Sequence, residues 1–204
     1  MNVKESVARA VDGAKDTLEN LHAPEAAPDA LAIIKADHER VSGLFKTVLG
    51  SDAGSMAKAR PTIDRIVSEL ELHAKMEEEL FYPALRARTK ATGEDRQTVL
   101  EALEEHGTMK DLLKKIKRST GRDETLKAKV LVLSELVEHH VHEEEHDMFG
   151  EAHRLLGEKR LAELGVAMAK FKAKASRGAA RPKSGKGSPS RQAADTNAKG
   201  RSRR

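Results

Sequence analysis

A chain of 204 residues with 34% charged and 2% aromatic residues, one Tyr and no Trp, is long enough for one good core plus appendages but poor in the side chains that build sheets. The absence of cysteine excludes disulfides and thiolate metal sites, so any bound cation must be held by nitrogen and oxygen, a donor set that suits iron or manganese better than structural zinc. The net charge of +4 is unevenly spread: residues 177–204 hold nine Lys or Arg against one Asp, which leaves the preceding body mildly acidic.

An amphipathic helix is predicted over about residues 2–21, where Val3, Val7, Val11, Ala14, Leu18 and Leu21 share one stripe. It is expected to pack on the outside of a bundle, with self-association through the same stripe as the alternative. This segment lacks the apolar run of a secretory signal and holds too many acids for a transit peptide, and no stretch reaches the roughly 18 apolar residues needed to span a bilayer. A soluble, cytoplasmic protein is the expectation. The sequence HAPEAAP, residues 22–28, reads as a linker.

Asp29 is a plausible N-cap for a helix running to about Leu49, followed by the loop Gly50 to Gly54. A second helix is predicted from about Pro61 through Arg86, with a kink at Pro83. Gly93 precedes a third helix, 94–118; Gly121 and Asp123 precede a fourth, 123–155. Short loops make these four helices antiparallel neighbours. A last helix, 157–175, carries Leu161, Leu164, Met168 and Phe171 and is expected outside the bundle; the basic, Gly-, Pro- and Ser-rich tail is expected to be disordered. The fold class is therefore all-α: an up-down four-helix bundle over 29–156, an N-terminal helix and linker over 1–28, an accessory helix over 157–176 and a tail over 177–204.

One pattern occurs twice. His38 is followed by His73-Ala-Lys-Met-Glu77, and His106 by His140-Val-His-Glu-Glu144, with the two halves offset by 68 and 67 residues. The flanking apolar positions repeat as well: Ile66, Leu70 and Phe81 correspond to Leu133, Val137 and Met148. A His and a Glu four apart lie about 40° from each other around a helix, so each pair points one imidazole and one carboxylate the same way. Four histidines and two carboxylates on core stripes would be costly to bury without compensation. The expected arrangement is one cation on His38 and His73, a second on His106 and His140, with Glu77 and Glu144 bridging. Six protein groups leave positions for solvent and exogenous ligands.

The ordered set H, H-x-x-x-E, H, H-x-x-x-E, with EEELFYP and EEEHDMFG at its second and fourth helices, resembles the hemerythrin-like HHE cation-binding domain over about residues 29–156. The resemblance implies a non-haem centre of two iron ions bridged by oxide or hydroxide, in a family whose members bind oxygen, sense oxygen or iron, or decompose peroxide. Manganese or zinc is the less favoured occupant. Two departures from the oxygen carriers of that family stand out: Lys110 occupies the place four after His106 where a second histidine is usual, and His142 with Asp147 fits a five-residue spacing although the repeat favours His140 and Glu144.

Three functions follow. The first is a binding protein that takes up or reports oxygen or iron. The second is a catalase-like enzyme acting on hydrogen peroxide. The third is a tether that uses the tail for weak contact with polyanions. His139, His142, His146 and His153 lie off the repeat register and read as a solvated face, as do Glu78, Glu79, Glu143 and Glu145. Asp37 and Glu105, each just before a candidate histidine, could orient the ligands or lie on the surface. Tyr82 falls about 180° from His73 on an ideal helix, so only a kink could turn it inward.

Overall fold

The computed structural model describes residues 27–50, 56–90 and 93–180, and among them every regular element is helical. The expected N-terminal helix over 2–21, most of the linker and the tail from 181 onward lie outside the described residues. In α1 (Ala30–Leu49) the Asp29 carboxylate accepts the Ala32 N–H at 2.8 Å, which satisfies one of the free donors of the first turn. The apolar stripe Ile34, Val41, Phe45 and Val48 faces inward.

Helix α2 (Met56–Met76) extends earlier than the proline suggested, with Pro61 inside it. Its neighbour Arg60 donates from its guanidinium to the carbonyls of Ile116 and Ser119 at 3.3 and 2.5 Å, which ties this helix to the end of a later one. Winding then loosens to a π turn over Glu77–Phe81 before α3 (Tyr82–Arg86). The irregularity expected at Pro83 thus begins six residues earlier. Proline is not its general cause, because a second π turn, Glu144–Met148, occurs at the corresponding repeat position with no proline nearby. What the two turns share is a buried carboxylate at their first residue.

Helix α4 (Glu94–Arg118) has its expected bounds. Helix α5 (Leu126–Glu143) starts three residues later than predicted, because Asp123 accepts the Thr125 N–H at 2.9 Å and holds a turn there. After the second π turn, α6 (Phe149–Ala180) is broken at Gly157, whose φ of 71° lies in the left-handed region. The segment beyond it is not merely an outer attachment: Leu161, Leu164 and Met168 are 0, 4 and 0% exposed and join one layer of the core. Gly165 permits the close docking, since a Cβ there would sit 2.4 Å from the Pro28 carbonyl oxygen.

The helices form an antiparallel up-down four-helix bundle whose interior is two apolar layers. One contains Ile34, Met76, Phe81, Leu85, Val99, Met148 and the terminal segment; the other contains Phe45, Ile66, Leu113, Ile116 and Leu133. Between them lies a polar layer. No helix among the described residues is long and apolar enough to cross a membrane.

Candidate metal centre

All six sequence-predicted site residues meet in that polar layer. His38, His73, His106 and His140 come from α1, α2, α4 and α5, while Glu77 and Glu144 open the two π turns; none is more than 6% exposed. The Nε2 atoms of His38 and His73 are 3.2 Å apart, as are those of His106 and His140. Glu77 lies between the pairs, with Oε1 3.0 Å from His73 Nε2 and Oε2 3.4 Å from His106 Nε2. Glu144 spans them from the other side, with Oε2 3.3 Å from His38 Nε2 and 3.8 Å from His140 Nε2. His38, His73, Glu77 and Glu144 form one group with donor atoms close enough to hold a cation, and Glu77, His106 and His140 form another.

The outward nitrogens explain the inward ones. His38 Nδ1 lies 2.8 Å from Glu145 Oε1, His106 Nδ1 2.9 Å from Glu78 Oε1, and His140 Nδ1 2.7 Å from Glu105 Oε2. A carboxylate can only accept, so each of these Nδ1 atoms carries the proton, and in the neutral ring Nε2 presents a bare lone pair. His106 and His140 therefore point two lone pairs at each other across 3.2 Å, a contact that is repulsive unless a cation lies between. Two nitrogens each about 2.1 Å from one ion and at right angles would be about 3 Å apart. The residues fit a cation at each pair.

Electrostatics point the same way. Burial, reinforced by the neighbouring imidazole, pushes His73 down to about 3 and His106 down to about 4, which keeps them in the neutral, ligating form. For His38 burial also opposes protonation, but the Glu144 and Glu145 carboxylates outweigh it and raise its value. Burial, followed by the charges of Glu144 and Glu78, raises Glu77 well above the ordinary carboxylate range. For Glu144 burial is outweighed by the close approach of His38 and by the surrounding histidines, so it is lowered and carries the charge. Both Glu77 oxygens and Glu144 Oε2 are buried without a hydrogen bond, which is the environment a metal would satisfy.

Sequence reading missed part of this. Glu78 and Glu145 were expected to be solvated flank but orient His106 and His38. Tyr82 is 1% exposed, with its hydroxyl 3.4 Å from Glu144 Oε1 and 3.5 Å from His106 Nε2. Five π residues lag an α-helix by about one residue, or 100°, and this unwinding brings Tyr82 in. Its repeat mate is Phe149, stacked on the His38 ring at 6.5 Å between centroids. Lys110 bonds Glu78 at 2.5 Å and is not turned to the histidine Nε2 layer. As expected, His139, His142, His146 and His153 are exposed. A groove of about 910 Å³ between α1 and α5, lined by Phe45, Val137 and Val141, reaches His38 and Glu145.

Comparison with known proteins reaches the same region of the chain. The sequence profile of the hemerythrin HHE cation binding domain matches residues 29–152. A crystal structure from Mycobacterium kansasii, described as a hemerythrin HHE cation binding domain-containing protein and Rv2633c homolog, superposes with a TM-score of 0.61 at 25% identity, covering 74% of this chain and 89% of that one. A DNA nickase from Nostoc sp. (strain PCC 7120 / SAG 25.82 / UTEX 2576) is 33% identical over 118 residues, 57% of this chain; the match spans only 31% of that protein. The profile covers the four helices that carry the histidine and glutamate layer, and on that ground the chain belongs to the hemerythrin HHE cation-binding domain family.

Proposed function

We propose that His38, His73, Glu77, His106, His140 and Glu144 hold a carboxylate-bridged pair of iron ions through which the protein binds or senses oxygen or iron. The observation that carries this reading is the pair of facing lone pairs at His106 and His140, fixed by Glu78 and Glu105 and flanked by buried carboxylate oxygens with no donor. When bound, the ions supply redox chemistry and open coordination positions. The protein supplies the rest: three anchored imidazoles, a buried layer between two apolar ones, and a groove by which a small molecule can approach His38. Tyr82 adds a hydroxyl donor beside Glu144.

A second reading, peroxide decomposition, is favoured by Lys110. It stands where a further histidine would be expected and is held by Glu78, so one more position is left to solvent. Anaerobic loading with ferrous iron, followed by separate exposure to oxygen and to hydrogen peroxide, tests both. Two irons per chain and a reversible spectral change with oxygen support the binding protein; sustained oxygen release from peroxide, lost in His73→Ala and His140→Ala, supports the enzyme. Substoichiometric metal after loading with iron, manganese or zinc would refute the site itself.

A further inference from the structure

The duplicated halves differ at one outer contact. By the repeat, Asp37 stands to His73 as Glu105 stands to His140, yet Glu105 reaches its histidine at 2.7 Å while Asp37 Oδ2 remains 3.6 Å from His73 Nδ1. His73 Nδ1 is buried with no hydrogen bond, whereas the other three histidines have one on that nitrogen. Asp37 is itself 4% exposed, and its Oδ1 is taken by Lys172 of α6 and by Arg40. Lys172 is brought there by the segment that Leu161, Leu164 and Met168 fasten to the bundle.

A lysine alone does not strip a carboxylate from its histidine. Glu78 is held by Lys110 and Glu145 lies 3.4 Å from Lys35, yet both keep their imidazole contacts. Asp37 differs in being one methylene shorter and in meeting two cationic side chains. We propose that Lys172, with Arg40, draws Asp37 away from His73 and so makes the two cation positions unequal, the His38 and His73 position being the weaker. This rests on the cation-pair reading above. An imidazole whose far nitrogen is not anchored is neither fixed in tautomer nor raised in basicity, and loss of such a partner typically costs 10- to 100-fold in metal affinity. Lys172 and Asp37 are thus positioning residues that act through His73.

Cobalt(II) is the probe, with its visible absorption reporting each position. His106→Ala with His140→Ala leaves the first position, and His38→Ala with His73→Ala leaves the second. The first is expected to bind about 10-fold or more weakly. Lys172→Met, which keeps the aliphatic stem, and Asp37→Glu, which restores the reach of Glu105, should each tighten the first position and leave the second unchanged. Should a half-site protein fail to fold by circular dichroism, the two-step cobalt isotherm of the intact chain gives the same answer, because Lys172→Met should bring the two steps together. Equal affinities in the starting protein, or no response of the weaker step to either substitution, would overturn the proposal while leaving the cation pair standing. No cobalt binding at all would instead refute the pair.

Discussion

Stripping bound cations with a chelator is expected to lower the thermal unfolding midpoint by between about 10 and 20 °C. Glu77 and Glu144 are 0 and 1% exposed, and three of their four oxygens lack a donor, so the metal-free fold keeps buried polar atoms that a cation would satisfy. A ligand that binds only the folded state at 100 times its Kd contributes about 2.7 kcal/mol, or about 5.4 kcal/mol for two independent sites. For a domain of this size each kcal/mol moves the midpoint by about 2–4 °C. Helical circular dichroism followed on heating, with chelator and then with excess ferrous iron under anaerobic conditions, measures the shift. His140→Ala should reduce it substantially. A midpoint indifferent to ferrous, manganous and zinc ions alike would refute the reasoning, because those oxygens would then have been satisfied without metal.

Four further outcomes are expected. Metal-free protein should lose stability as pH falls from 6.5 to 4.5: His73 and His106 are depressed to about 3 and about 4 and Glu144 to about 2, so the unfolded chain takes up protons that the folded chain refuses, and this outweighs the protons that Glu77 and His38, both raised, hold in the folded state. The Glu77 contribution is fullest at low pH and fades as pH rises through its folded value; urea unfolding at three pH values would reveal the loss on acidification as a slope or disprove it as a flat line. Tyr82→Phe copies Phe149 and removes the hydroxyl donor from Glu144 Oε1, so chelated protein should unfold about 1–3 kcal/mol more easily; an unchanged urea midpoint would show that this hydroxyl does not matter. Gly165→Ala places a methyl against the Pro28 carbonyl and should cost about 1–3 kcal/mol with faster proteolysis of the terminal segment, whereas wild-type resistance would mean the contact yields. His139→Ala combined with His142→Ala should leave cation stoichiometry intact by elemental analysis; loss of an ion would place those exposed rings in the site.

The bundle and the six inner residues were legible because both depend on helical period: His73 and Glu77 share a face at any point in an α-helix, and the repeat supplies the other half. The tautomer-fixing acids were only half legible. Asp37 and Glu105 stand out because each precedes an inner histidine, yet Glu105 bonds His140 and Asp37 faces His73 without bonding it, while Glu78 and Glu145 lie about 100° from the inner carboxylate on a regular helix and reach an imidazole only across the bundle. Tyr82 was hidden for a related reason, since its inward turn depends on winding that no residue pattern announces. The terminal segment was misplaced because its apolar stripe is the same whether it covers the bundle or completes its end; Lys172 on Asp37 and Gly165 against Pro28 are tertiary facts.

The two π turns also restrict where this domain can change length. Each starts on a buried carboxylate, so deleting a single residue between Glu77 and Phe81, or between Glu144 and Met148, would restore ordinary winding and swing everything downstream by about 100°. Tyr82 and Leu85 would leave the interior in one case, Phe149 and Ala152 in the other. Chain length at these ten positions is thus fixed by the layer of buried imidazoles and carboxylates that the turns serve.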